Sequence, residues 1–90
     1  MEIKAYFRRE ERYEGLQLVY GTDESAKQAI LDAIELLKEE LGLEPQVMEN
    51  CSLDHPEKCA IYVEFENDFD REGGEFFEML MKRLDIQCCL

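Results

Sequence analysis

The chain has 90 residues, 46% of them apolar and 36% charged, and carries a net charge of −12 at pH 7. That length suits a single domain, and the apolar share excludes a disordered chain. The charge argues against direct binding to nucleic acid or to an anionic membrane, because every phosphate contact would work against repulsion.

The charge is uneven along the chain. Residues 1–12 hold four basic side chains (Lys4, Arg8, Arg9, Arg12) against three acids, and the remainder holds six basic against nineteen acidic residues. A body this acidic favours fast, salt-sensitive association with a basic protein partner. Dense charge of both signs is also a thermophile-like composition, since ion pairs are desolvated more cheaply when hot. No apolar run of leader length opens the sequence and none approaches a membrane span, so a cytoplasmic protein is expected.

In chain order, residues 2–9 alternate, with Ile3, Ala5 and Phe7 on one face, which predicts a half-buried strand. Residues 10–15 are polar, end in glycine and read as a hairpin loop. Residues 16–20 give a second strand. A helix is expected over 23–41, with Thr22 or Asp23 as N-cap and Gly42 beyond its end. Its apolar stripe is Ala26, Ala29, Ile30, Ala33, Ile34, Leu37 and Leu41, while Leu31 and Leu36 fall on opposite flanks. Those two leucines exceed what one sheet needs and suggest a second packing partner.

Residues 46–52 predict a third strand, 53–58 a turn, and 59–66 the clearest strand, with Ile61, Val63 and Phe65 aligned. An acidic loop over 67–74 leads to a helix over 75–85 that buries Phe76, Phe77, Leu80 and Leu84 and pairs Glu78 with Lys82. Residues 86–90 could add a short final strand. The expectation is an α+β fold of order ββαββα, an antiparallel sheet packed on two helices. Without its first strand the order becomes βαββαβ, which looks like a ferredoxin-like sandwich; that fold hosts many functions and names none.

Three clusters carry candidate chemistry. Cys51, His55 and Cys59, spaced C-x3-H-x3-C, could join Cys88 and Cys89 as zinc ligands. Lacking a leader, the four cysteines are first read as reduced, inert thiols, although a hairpin with Cys51 and Cys59 on its two arms could close a disulfide. Asp68, Asp70 and Glu72, followed by Gly73, resemble the start of a calcium loop, but Met79 stands where the bidentate glutamate is required. His55 beside Cys51 and Asp54 lacks the held base and oxyanion donors that a nucleophile needs. No catalytic residue and no cofactor is therefore assigned.

Taken whole, the hairpin of residues 1–20, the helix of 23–41, the acidic second half and the Cys88-Cys89-Leu90 end resemble the small acidic orphan proteins of archaeal genomes. That resemblance implies a homodimer with intertwined strands and no enzyme activity, and it carries over no site residues. The expected function is an acidic, homodimeric binding or structural protein that associates with a basic partner. A ferredoxin-like ligand-binding regulatory domain and a Cys/His metal-binding protein are the alternatives.

Overall fold

Alternation sets the sheet. In the computed structural model, which describes residues 3–10, 13–66 and 72–86, Ala5 and Phe7 of β1 (Lys4–Glu10) turn to the helices. They are joined there by Leu16 and Leu18 of β2 (Tyr13–Val19) and by Ile61 and Val63 of β4 (Ala60–Glu66). The register puts Ala5 opposite Leu18, Leu16 opposite Val63 and Leu18 opposite Ile61, so one face of the sheet is continuously apolar. The edge strand β3 (Gln46–Asn50) pairs with β4 and is exposed along its length.

Helix α1 (Glu24–Leu41) starts at the N-cap Asp23, whose carboxylate accepts from the Ala26 N–H at 3.0 Å. It ends at Gly42, which takes the left-handed φ of 67° that glycine adopts at no steric cost. Ala26, Ile30, Ala33, Ile34 and Leu37 are buried. Leu31 packs against the same core, whereas Leu36 stays 49% exposed. Only one of the two flanking leucines is therefore left over.

Helix α2 (Glu72–Arg83) buries Phe76, Phe77 and Leu80, with Leu84 buried just past its end, and Phe76 and Phe77 meet Phe65 edge-on. It closes on Asp85 at φ 56°, and the Ile86 N–H donates back to the Met81 carbonyl at 2.9 Å. A Cβ strains that conformation. Replacing Asp85 with glycine should therefore stabilise the fold by about 0.5–1 kcal/mol, read as a higher urea midpoint at unchanged slope.

The observed order is ββαββα with all four strands antiparallel to their neighbours in the order β1-β2-β4-β3. Strand β4 lies between β2 and β3, the split arrangement of a ferredoxin-like sandwich. The place beside β2 that such a sandwich gives to its last strand is held here by β1. Ile86 is not in a strand, and residues 87–90 lie outside the described ones.

Two boundaries move, for one reason. Strand β2 begins at Tyr13, inside the segment read as a loop, and α2 begins at Glu72, three residues early and across Gly73-Gly74. Both shifts bring Glu14 into the interior. Arg9 and Glu14 are register partners on the helix side, so the hairpin's alternation continues with an ion pair where a polar loop was expected.

Candidate interaction surface

Among the described residues, both helices cover one face of the sheet and leave the other open. Alternation assigns the open face. Its central row runs Tyr6, Gln17, Tyr62, Met48 across the four strands, and Tyr6 and Met48 are 40% and 45% exposed. The next row places Arg8 and Glu64 on either side of Gly15. Gly15 has a steric reason: a Cβ there would sit 2.5 Å from the Tyr62 hydroxyl.

The Tyr62 ring thus lies across β2, and its hydroxyl meets that of Tyr13, which also donates to Glu64 at 2.8 Å. Burial, and then the bonds to Tyr62 and Glu64, push the Tyr13 hydroxyl well above the usual phenol range. It therefore stays protonated and remains a donor at neutral pH.

Two shallow grooves flank the central row. One, of about 450 Å³, runs between β1 and the β3–β4 connection and is lined by Lys4, Tyr6, Gln17, Val19, Glu57 and Lys58. The other, of about 480 Å³, is lined by Arg8, Gln17, Met48, Asn50, Tyr62 and neighbouring residues. A third hollow, of about 370 Å³, opens on the helix side between β1 and α2, over Phe7, Phe77 and Met81.

At that third hollow lies the buried pair. Arg9 donates two hydrogen bonds to one Glu14 oxygen, at 2.8 and 2.6 Å. Glu14 is 3% exposed, and its second oxygen has no hydrogen-bond partner among the described residues. Gly74 sits close to both side chains, which puts the carboxylate beside the positive end of α2. Sequence reading missed this pair. The signal was present, because Arg9 and Glu14 are symmetric about the turn in the same way as Phe7 and Leu16.

The predicted cysteine site is resolved differently from the first expectation. Cys51 and Cys59 are joined in a disulfide, with Cα atoms 4.2 Å apart, and neither is the reduced thiol first expected. Asn50 pairs with Ala60, so one further step of the register sets the two cysteines directly opposite. Narrow antiparallel pairs have about this Cα separation.

A bonded pair has no thiolate to offer zinc. His55 turns its Nδ1 to Glu57 at 3.3 Å, on an exposed surface. Among the described residues, no cluster of three His, Cys, Asp or Glu side chains could hold a metal. The Cys59 carbonyl accepts from both Tyr20 and Gly21, each at 3.1 Å, and so ties the loop to the start of α1.

Asp68 and Asp70 lie outside the described residues, as do Cys88 and Cys89. Glu72 and Gly73 are in the first turn of α2, and the helix continues through Met79. A calcium loop needs non-helical backbone and a sharp turn at its sixth position, which is Gly73 here, so the helix replaces that reading.

Strand β3 is held at its edge by Glu49, which accepts from Lys27 at 3.1 Å and from Tyr20 at 3.3 Å. The Glu49 carboxylate keeps the Lys27 ammonium above the usual lysine range. No helix among the described residues is long and apolar enough to cross a membrane. No protein-family model matches the chain, and no curated protein or solved structure matches it significantly.

Proposed function

We propose that this protein is an acidic, homodimeric binding protein whose open sheet face receives a basic, partly apolar segment of a partner protein. The observation that carries the reading is the uncovered row Tyr6, Gln17, Tyr62, Met48 with a groove on either side. Tyrosine and methionine offer adaptable apolar contact, and a tyrosine face also attracts cationic side chains. Glu57 lines one groove with Lys4 and Lys58, Arg8 lines the other, and Glu64 lies beside Tyr62, so the face carries charge of both signs. The overall charge of −12 draws in a segment of alternating basic and apolar residues, whose cations can meet Glu57, Glu64 and the tyrosine rings, whereas a polyanion is repelled.

The dimer is supported by economy of burial. A chain of 90 residues hides only about 60–65% of its unfolded surface, and association adds to that. The four strands pair within one chain, which favours surface contact over exchange of strands.

An alternating lysine–leucine peptide tests the platform by amide shift mapping. Shifts centred on Tyr6, Gln17, Met48 and Tyr62, fading as salt is raised several-fold, are the expected outcome. Shifts confined to the outer surface of α1, or no shifts at all, would overturn the assignment. Native mass spectrometry of the same sample should show a dimer.

A further inference from the structure

We infer that two copies join edge to edge through β1, making one continuous eight-stranded sheet, a proposal that rests on the homodimer reading above. Strand β1 is seven residues long and stands at the end of the sheet, and no described strand pairs with its outer side. Its free N–H and C=O groups are a ready template for another strand. A copy of itself fits that template.

Read antiparallel about a two-fold axis at Phe7, the sequence Lys-Ala-Tyr-Phe-Arg-Arg-Glu places Lys4 opposite Glu10 of the second copy. Tyr6 then faces Arg8, Ala5 faces Arg9, and Phe7 faces its own counterpart. Every pair lies on a common face, as the two-residue period demands. The outer face gains two Lys–Glu pairs and two Tyr–Arg contacts. Lys4 makes no ion pair among the described residues, and Glu10, although its Oε1 accepts from Arg8 at 3.1 and 2.7 Å, is exposed enough to accept from a second cation as well.

Charge selects this edge over the others. Copies of a −12 chain repel, and they approach most easily where they are least acidic. Strand β1 carries Lys4, Arg8 and Arg9 against Glu10 alone. The opposite edge, β3, carries Glu49 and follows Glu44.

The helix side of the β1 edge also has apolar surface to bury. Phe7 is half-buried and rests edge-on against Phe77, with centroids 5.9 Å apart. Beside it lies the 370 Å³ hollow lined by Phe7, Phe77 and Met81. Pairing the two β1 strands covers that hollow with the second copy's own Phe7 and Arg9.

The experiment uses the full chain and two single variants, Lys4→Glu and Glu10→Lys, in sedimentation velocity. Each variant alone sets like charges opposite one another twice per dimer, so its self-association should weaken by about tenfold. Mixing the two variants restores both pairs in the heterodimer, which should form with nearly the affinity of the unaltered chain. Thermal melts of each variant check that the fold is intact.

If the unaltered chain dimerises but the mixture does no better than either variant, the β1 edge is the wrong surface and the homodimer reading survives. If the unaltered chain stays monomeric at every concentration, both fail. Growth into fibres would mean β1 meeting β3 head to tail, and would overturn the closed dimer.

Discussion

Replacing Cys51 with serine is expected to lower the unfolding free energy by about 2.5 kcal/mol. That value follows from the loop-closure entropy of a nine-residue ring from Cys51 through Cys59. In a chain of this size it corresponds to a fall in melting temperature of roughly 10–20 °C. Cys51 is the better residue to change, because Cys59 is 3% exposed and a serine there would also bury a hydroxyl. A dithiol reductant should reproduce the shift in the unaltered chain and leave the variant unmoved. Equal melting temperatures with and without reductant would show that the cross-link contributes nothing. The loss has a place in the fold: the Tyr20 and Gly21 N–H groups, both bound to the Cys59 carbonyl, should exchange faster once the loop is released.

Arg9→Met should cost about 2–3 kcal/mol, because it strands a carboxylate inside the protein. The figure sits at or below the lower end for buried pairs, since Arg9 itself is 48% exposed and water screens it. Glu14→Leu should cost less, because the released arginine can turn to solvent. The double variant Arg9→Met/Glu14→Leu should recover most of the loss, as an apolar pair commonly replaces a buried ion pair without penalty. Urea unfolding of the three variants measures the cycle. A double variant as unstable as Arg9→Met would show that Glu14 does more than pair with Arg9.

Most of the architecture was legible before the structure. Regular periodicity located β1, β4 and α1 to within a residue or two at each end; Gly42 was placed at the end of α1, and the structure chooses Asp23 over Thr22 as its N-cap. The boundaries that moved were those where a charged or flexible residue does interior work. Glu14 looked like loop because a carboxylate rarely enters a core, and Gly73-Gly74 looked like a break because glycine weakens helices. Each makes sense only beside the other, and that proximity is tertiary.

The disulfide was legible as an option in the hairpin spacing, but choosing it required the register of β3 on β4. The open face was hidden for a different reason. Alternation shows which residues share a side, but not which side the helices will cover. Tyr6 and Tyr62 became candidates only once both helices were seen on the face of Phe7 and Val63.

The strand order also sets how the chain must find its fold. The pairs β1–β2 and β3–β4 join residues close in sequence, so each hairpin can form early and locally. The seam between β2 and β4 joins Val19 to Ala60 and Tyr13 to Glu66, contacts some forty to fifty residues apart. Closing that seam spends chain entropy before any return, so it is the slow step. Topology thus predicts that destabilising the β2–β4 seam slows folding more than an equal destabilisation within either hairpin.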